Sequence, residues 1–293
     1  MTQSPFKSLT LPGGDRAIVL FHGLSSTPQE LQLLARGLQR AGYTVYLPYL
    51  PGYGDDGRGR KRLVTPWRDW LDQALHTFDQ IRAGHAQVAV GGLCMGATLA
   101  LQVAAQRPRE VAAVIALSVT LWHDGWALPW YTAFLPLAAL APFSLRARFY
   151  HREGPPYGVK DERMRAWIAR EMNNTQSSMA GAATLTFASL LEARRLFLAT
   201  RALLPRVEAP TLIVHAVEDE MSSPRNAEYL ARKVGARLTR LVMLRDSYHM
   251  ITLDQEKDRV LAETRDFLTL ALEAADKTSA KAGQVIPLSF AHQ

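Results

Sequence analysis

Short apolar runs alternate with amphipathic segments at both ends of the chain. Arg16–Phe21, Gln87–Leu93 and Thr211–Ala216 are largely apolar runs of strand length, and residues 29–41 carry leucines at helical spacing. Buried strands that alternate with amphipathic helices are typical of a parallel sheet covered by helices on both faces. The pattern therefore predicts an α/β fold with a mostly parallel sheet.

The remaining core elements continue this alternation. Further strands are predicted over residues 43–47, 111–118 and 238–244, and further helices over residues 67–83, 95–106 and 258–274. Glycines and prolines predict a loop over residues 48–59. Small and polar residues predict a loose tail over residues 276–293.

Residues 122–206 interrupt the alternation and are predicted to form helices without strands. We interpret this segment as a helical cap inserted into a core formed by residues 1–121 and 207–275. Within the cap, residues 125–145 contain no charged side chain over a length that would span a bilayer. Three prolines inside this stretch, and its position between two core strands, argue against a membrane span.

The uncharged stretch of the cap has two interpretations. The preferred one is a cap that lines an acyl-chain pocket, and its aromatic residues are then the predicted substrate contacts: Trp126, Trp130, Tyr131 and Phe134. The alternative is peripheral contact with a membrane through the cap, because tryptophan and tyrosine followed by arginines favour the membrane interface.

Composition and charge narrow the class of protein. With 48% hydrophobic and 21% charged residues, the chain is neither mainly disordered nor a polytopic membrane protein. The formal net charge of +7 raises the question of a nucleic-acid partner. The arginines are scattered, however, and no recognition motif with interleaved aromatic residues occurs. We therefore expect a generally basic surface and no nucleic-acid partner.

The chain contains a single cysteine, Cys94. This count excludes an intramolecular disulfide and a cluster of thiolates that would hold zinc or iron–sulfur. Neither a metal nor a cofactor is expected. Residues 1–15 contain no apolar run typical of a secretory signal, so we predict a cytoplasmic location.

Cys94 lies at the centre of the pentapeptide Gly92-Leu93-Cys94-Met95-Gly96, between a predicted strand and a predicted helix. A nucleophile on a sharp strand-to-helix turn needs small residues two positions away on each side. Gly92 and Gly96 meet this need, and the dipole of the following helix favours a thiolate. The alternative is that Cys94 is a small buried hydrophobic residue in an ordinary tight crossover.

A cysteine nucleophile needs a base, and the base needs an orienting carboxylate. Asp219 lies just beyond the predicted strand Thr211–Ala216, and His249 follows the predicted strand over residues 238–244. The chain order of nucleophile, acid and histidine, each in a loop after a strand, is that of α/β hydrolases. The sequence therefore predicts the triad Cys94, Asp219 and His249.

Other residues compete for the two supporting roles. Glu218 and Glu220 flank Asp219, and we interpret these glutamates as a solvated acidic turn; Asp246 precedes His249 in a loop. The competing histidines are His22, His76, His85, His123, His151, His215 and His292. We expect His22 to shape a loop and His215 to be a hydrogen-bonded core residue. Neither follows the last strand, where the base is expected.

An oxyanion formed during acyl transfer needs two backbone N–H donors that converge on it. Met95, directly after Cys94, is predicted to supply one donor from the start of the helix. Leu24, in the turn after the first long strand, is predicted to supply the other.

Five stretches of the chain carry a family resemblance. Residues 21–30 (FHGLSSTPQE) look like the HGF-x-(G/S)-(S/T)-P opening of bacterial carboxylesterases and monoacylglycerol lipases of the α/β-hydrolase superfamily. Residues 47–54 resemble their P-x-LPGHG loop, residues 65–70 their T-x-W-x-x-W helix start, and residues 215–224 with 247–249 their acid and histidine segments. The resemblance covers residues 17–118 and 211–270. It implies an α/β-hydrolase fold with a helical cap insertion and supports the predicted triad positions.

The chain departs from this family pattern at residue 94. The resembling enzymes carry serine in G-x-S-x-G, whereas this chain carries cysteine. A G-x-C-x-G box is found in dienelactone hydrolases and polyhydroxyalkanoate synthases. The chain is short for such a synthase, and its opening segments are closer to those of the esterases.

A cysteine at this position changes the expected chemistry. The covalent intermediate is then a thioester, which forms almost isoenergetically from a thioester substrate but uphill from an ordinary ester. We therefore predict a hydrolase of ester or thioester bonds that acts on a medium or long apolar acyl chain. Two alternatives remain: an acyltransferase or cyclase that uses a thioester donor, and a non-catalytic hydrolase-like protein that binds a ligand.

Overall fold

A seven-stranded sheet forms the centre of the part that the computed structural model describes, namely residues 7–50, 52, 65–128, 142, 149–152, 154–175, 177–178, 181–182 and 184–283. In chain order the strands are β1 (Leu9–Leu11), β2 (Arg16–Phe21), β3 (Thr44–Leu47), β4 (Gln87–Leu93), β5 (Val111–Leu117), β6 (Tyr150–Arg152), β7 (Ser177–Ser178), β8 (Gly181–Ala182), β9 (Thr184–Thr186), β10 (Thr211–Ala216) and β11 (Thr239–Leu244). The main sheet has the order β1-β3-β2-β4-β5-β10-β11. β1 runs antiparallel to β3, and the other pairings in this sheet are parallel.

Helices connect the parallel strands and cover the sheet. They are α1 (Gln32–Arg40), α2 (Trp67–Arg82), α3 (Met95–Gln106), α4 (Glu162–Thr175), α5 (Phe187–Leu203), α6 (Arg225–Lys233) and α7 (Lys257–Gly283). Single 3-10 turns precede α1 at Pro28–Leu31 and follow α5 at Leu204–Arg206. These crossovers bring the carboxyl ends of the parallel strands to one edge of the sheet.

The two faces of the sheet form two apolar cores. In β2, Val19 and Phe21 pack with α2, α3 and α5, whereas Ile18 and Leu20 pack with α1 and α7. Successive side chains of a strand point to opposite faces, so a strand covered on both sides is apolar at every position. This is the reason that β2 and β4 read as continuous apolar runs and not as alternating ones.

Most predicted core elements are confirmed. The bounds of β2, β4, β10 and α3 are those that the sequence pattern predicts. The segment predicted as a helix over residues 29–41 begins with a 3-10 turn, in which the Thr27 hydroxyl accepts a hydrogen bond from the backbone N–H of Gln29 at 3.4 Å. β1 and α6 were not predicted, and α7 continues to Gly283, beyond the predicted end at residue 274.

The prediction of helices without strands over residues 122–206 is wrong in part. α4 and α5 lie in this segment, but β6 pairs with β9 and β7 pairs with β8, both antiparallel. These strands have only two or three residues, which is too short for a period-of-two pattern to emerge from a sequence. The division of the chain into a core, a cap and a tail stays a prediction.

Most of the uncharged stretch over residues 125–145 lies outside the described residues, as does the predicted tail beyond residue 283. Within the described ranges, no helix combines the length and the apolar character that crossing a membrane requires.

Candidate active site

Cys94 lies in a strained turn between β4 and α3. Its backbone has φ 58° and ψ −118°, a conformation that residues with a side chain rarely adopt. A Cβ on Gly96 would lie 1.9 Å from the Phe21 carbonyl oxygen, and one on Gly92 would lie 2.4 Å from the same atom. Both positions therefore require glycine, because β2 passes too close for any side chain.

The predicted acid and base form a buried pair. His249 Nδ1 lies 2.8 Å from Asp219 Oδ2 and 3.0 Å from Asp219 Oδ1. The backbone N–H groups of Met221 and Ser222 donate to Asp219 Oδ1 at 2.9 and 2.8 Å. The carboxylate is thus fixed by its own loop, and it in turn fixes the imidazole so that Nε2 is left for another partner.

Cys94 is the neighbour of the other imidazole nitrogen. Among the described residues, none forms a well-shaped hydrogen bond with the buried His249 Nε2. Cys94 is nevertheless close enough to act on the imidazole both by charge and as a hydrogen-bond partner. Cys94 and His249 are therefore neighbours that are not aligned for a well-formed hydrogen bond, which is common in active sites before a substrate binds.

Charge interactions shift the pKa values of His249 and Asp219 in opposite directions. Burial lowers the pKa of His249, but Asp219 and then Cys94 outweigh burial, so the net pKa lies well above its ordinary value. Burial raises the pKa of Asp219, but the charge and hydrogen bond of His249 outweigh it, and the net pKa is lowered. Both shifts favour the form in which an imidazolium is held by a carboxylate.

Asp219→Asn is expected to make His249 lose its proton at lower pH, because the amide removes the charge that most strongly raises the pKa of the imidazole. The stabilisation that the raised pKa of His249 gives the folded protein is complete below the ordinary histidine pKa and is lost as pH rises through the raised one. An NMR titration of the His249 ring measures the change. Asp246→Asn is the matched control, since Asp246 lies in the same loop and pairs with Lys160 at 3.3 Å. An unchanged titration in Asp219→Asn would contradict the assignment.

The competing acids occupy two different environments. Glu218 and Asp246 pair with Lys160 on the surface, as expected of solvated carboxylates. Glu220 contradicts the predicted solvated turn: it is 2% exposed, and its Oε2 accepts the backbone N–H of His249 at 3.0 Å. Burial raises the pKa of Glu220 to about 7. Glu220 thus supports the backbone of the histidine loop.

Two competing histidines serve the structure, as expected. His22 Nδ1 donates to the Gly23 carbonyl oxygen at 2.9 Å, and His215 Nε2 donates to the Ser222 carbonyl oxygen at 2.8 Å. Both side chains are fully buried. Of the others, His123 and His151 line the cavity described below, His85 and His76 lie away from it, and His292 is outside the described residues.

The turn after β2 is held by a buried carboxyl group that the sequence did not single out. Glu30 accepts hydrogen bonds from the backbone N–H of Gly23 and from the Ser26 hydroxyl. Burial raises the pKa of Glu30 to about 7, although both hydrogen bonds act to lower it. Because Glu30 occupies the N–H of Gly23, the next N–H in the turn belongs to Leu24, the predicted oxyanion donor.

A cavity of about 410 Å³ opens beside Cys94 and His249. Leu24 and Met95 both line it, and their role as oxyanion donors stays a prediction. Its apolar lining includes Leu128, Leu185, Leu190, Met172, Met221 and Met250. An apolar chain attached to a group that binds at Cys94 would contact this apolar lining.

The aromatic substrate contacts predicted in the cap are placed only in part. Trp126 is 62% exposed and lies outside the lining of the cavity. Its Nε1 donates to the Glu218 carbonyl oxygen at 3.2 Å, and its ring packs on Tyr248. Trp130, Tyr131 and Phe134 lie outside the described residues.

Thr120 is a further polar residue at this site that the sequence did not single out. It follows β5, and its Oγ1 lies 3.4 Å from Cys94 Sγ. The signal that would have found Thr120 is position: it lies just beyond the carboxyl end of a parallel strand, at the edge where ligands bind in open α/β sheets.

The parallel sheet, the strained turn at Cys94 and the adjacent Asp219–His249 pair together define an α/β hydrolase. Residues 14–256 match the family described as serine aminopeptidase, S33. The chain therefore belongs to this family and is an enzyme of the α/β-hydrolase class.

Two bacterial relatives extend along almost the whole chain. A thermostable monoacylglycerol lipase from Bacillus sp. (strain H-257) is 27% identical over 254 residues, which cover 87% of this chain and 90% of the lipase. A carboxylesterase from Bacillus subtilis (strain 168) is 24% identical over 270 residues, which cover 92% and 97%. The resemblance inferred from the sequence motifs is confirmed.

Solved structures show the same fold. A chain from a study of LipS and LipT, two metagenome-derived lipolytic enzymes, has a TM-score of 0.74 at 24% identity and covers 90% of this chain and 98% of its own. A soluble variant of monoglyceride lipase from Saccharomyces cerevisiae, in complex with a substrate analogue, has a TM-score of 0.72 at 18% identity and covers 90% of each chain.

Proposed function

We propose that this protein hydrolyses carboxylic ester or thioester bonds through an acyl-cysteine intermediate on Cys94. The observation that carries the proposal is the position of Cys94: a strained turn, beside the buried His249–Asp219 pair, at the wall of a largely apolar cavity. The similar lipase and carboxylesterase support ester hydrolysis as the reaction class. The cysteine nucleophile is proposed from the sequence of this chain.

The acylation half-reaction forms one bond and breaks one. The Cys94 sulfur, as a thiolate, attacks the carbonyl carbon, and the backbone N–H groups of Leu24 and Met95 receive the resulting oxyanion. The imidazolium of His249 gives its proton to the departing alcohol or thiol as the carbon–leaving-group bond breaks. The products of this half are an acyl-Cys94 thioester and a neutral imidazole.

The deacylation half restores the site. Neutral His249 takes a proton from water, and the hydroxide attacks the thioester carbonyl. The carbon–sulfur bond then breaks and returns the thiolate of Cys94, with the carboxylic acid as product. Asp219 stays ionised throughout and holds the imidazole in position.

The cysteine favours thioesters as substrates. Exchange of one thioester for another on Cys94 is nearly isoenergetic, whereas transfer from an ordinary oxygen ester is uphill. The apolar lining of the cavity favours a medium or long acyl chain over acetyl. An acyltransferase shares the first half-reaction, because an amine or alcohol that enters in place of water takes the acyl group.

Acyl-Cys94 is expected to accumulate with acyl thioesters. The test is intact mass spectrometry with thioesters and oxygen esters of two to twelve carbons, with Cys94→Ala as the matched control. Each methylene that enters the cavity is worth about 0.8 kcal/mol at best, so adduct formation should rise by up to about fourfold per carbon until the cavity is full.

Each alternative has a distinct outcome in this experiment. An adduct that decays faster with an added amine or alcohol than with water identifies an acyltransferase. A flat dependence on chain length contradicts the apolar site, and a sharp rise of activity on anionic vesicles supports membrane contact through the cap. No adduct and no turnover with any substrate would leave a ligand-binding protein and overturn the proposal.

A further inference from the structure

Thr120 places a hydroxyl group next to the sulfur of Cys94. Thr120 Oγ1 lies 3.4 Å from Cys94 Sγ, and the Thr120 side chain is fully buried. The sulfur therefore has this hydroxyl as a polar neighbour in addition to the His249 imidazole. The proposed mechanism uses only the imidazole.

Backbone contacts on both sides fix the position of Thr120. The Thr98 hydroxyl, from α3, donates to the Thr120 carbonyl oxygen at 2.7 Å. Directly after Thr120, the backbone N–H groups of Leu121 and Trp122 both donate to Asn226 Oδ1 at 2.8 Å. Because its backbone is already fixed, the Thr120 hydroxyl can contact the sulfur without the entropy cost of ordering a flexible segment.

Thr120 also connects the sulfur to the carboxylate of the site. Its Oγ1 lies 3.3 Å from Ser222 Oγ, and Ser222 Oγ lies 3.4 Å from Asp219 Oδ2. These oxygen–oxygen distances exceed the usual value of about 2.7–2.8 Å, so each hydroxyl is weakly held and free to turn. Two hydroxyl groups thus connect Cys94 to Asp219 by a route independent of His249.

The number of hydrogens limits which hydrogen bonds these two hydroxyl groups can donate. Each hydroxyl has one hydrogen to donate. While Cys94 is a thiol, its S–H can donate to Thr120, and Thr120 can donate to Ser222 or to the Ser118 carbonyl oxygen, 3.4 Å away. Once Cys94 is a thiolate it has no hydrogen left, and the hydroxyl of Thr120 is the group that can turn toward it.

We propose that Thr120 is a second hydrogen-bond donor to the reacting sulfur, which it serves by turning its hydroxyl to the Cys94 thiolate. The inference rests on the proposed role of Cys94. The hydrogen bond exists with the thiolate and is lost when the sulfur carries an acyl group. Thr120 therefore stabilises Cys94 as the attacking group in acylation and as the departing group in deacylation.

Alkylation of the sulfur tests this role directly. Cys94 is the single cysteine of the chain, so the mass added by iodoacetamide reports on this residue alone. A hydrogen bond to a charged group changes the thiolate population by about tenfold. In Thr120→Val the alkylation rate near neutral pH should fall by about tenfold, and the rate profile should move to higher pH by about one unit. Thr120→Ser keeps the hydroxyl and should stay within about twofold of the native rate.

Other titrating groups around the cavity affect the pH profile of the alkylation rate in every variant. These groups are His249, Asp219, Glu30, Glu220, His123 and His151. The quantity to compare is therefore the difference between the profiles of two variants. Ser222→Ala separates donation to sulfur from general disturbance, because it removes the competing partner of Thr120 and keeps the Ser222 backbone N–H on Asp219. Its profile should stay in place or move to lower pH.

Two results overturn the inference: a Thr120→Val profile that coincides with the native one, or equal upward shifts in Thr120→Val and Ser222→Ala. Thr120→Ala carries the same expectation as the valine variant and replaces it if the valine variant does not fold. Alkylation does not require turnover, so this test is separate from that of the proposed function. Full turnover in Cys94→Ala would overturn the function and leave the alkylation result standing.

Discussion

Cys94→Ala is expected to lower kcat/KM by at least about three powers of ten while the fold stays intact. The alanine removes the sulfur atom that accepts the acyl group. Among the described residues that line the cavity, no other nucleophile lies in this turn. The backbone strain at residue 94 is unchanged by this substitution, so circular dichroism and the melting temperature should match the native protein. Retention of more than a tenth of the activity would remove Cys94 from the proposed role.

Cys94→Ser refines the same result. A hydroxyl depends on His249 to remove its proton during attack, whereas a thiol next to an imidazole can ionise beforehand. We expect weak activity that is shifted from thioesters toward oxygen esters, because the intermediate is then an oxygen ester. A serine variant that prefers thioesters as strongly as the native protein would show that the leaving group is selected by the cavity and not by the sulfur.

His249→Ala is expected to cost nearly as much as the loss of Cys94, about three powers of ten in kcat/KM. Without the imidazole, neither the leaving group nor the attacking water has a proton partner, and the groups of such a site act as a unit. The measurement is the rate of hydrolysis and, separately, the rate of deacylation of a trapped adduct. Deacylation should slow at least as much as acylation, because water needs a base more than a thiolate does.

A surface histidine supplies the control for this prediction. His76 is exposed on α2, away from the cavity, and His76→Ala should leave both rates unchanged. A loss of less than tenfold in His249→Ala would indicate that another group carries the proton. In that case His123, which lines the same cavity, would be the next residue to substitute.

The sequence was sufficient to predict the sheet and the positions of the main chemical groups. Buried parallel strands are continuous apolar runs, and Cys94 directly follows one of them; Asp219 and His249 lie in the loops after β10 and β11. The structure shows these three residues together at one edge of the sheet. The sequence pattern succeeded here because the end of a strand and the residues of the loop after it are read from a short stretch of the chain.

The environment of the site could not be predicted in the same way. Glu218 and Glu220 are two residues apart in one acidic turn, yet one pairs with Lys160 at the surface and the other is buried under the histidine loop. Which carboxyl group is buried depends on where the loop after β11 packs, and that is a tertiary property. Trp126 shows the converse: an aromatic residue expected in a pocket lies on the surface against Tyr248.

The buried carboxyl groups of Glu30 and Glu220 each take up a proton on folding in the range between their ordinary and their raised pKa. Each has a pKa of about 7 in the folded protein against an ordinary value of 4.5, so above the ordinary value the folded chain holds protons that the unfolded chain has released. Their contribution to stability is complete below the ordinary pKa and is lost as pH rises through about 7. His249 acts in the same direction, whereas Asp219, with its lowered pKa, favours folding only above its ordinary value. Burial lowers the pKa of His22, His123, His151 and His215, so these histidines act against the glutamates and destabilise the folded chain as pH falls through 6.5. These buried groups thus limit the pH range of the folded chain from both sides, the histidines in acid and the glutamates above neutral pH.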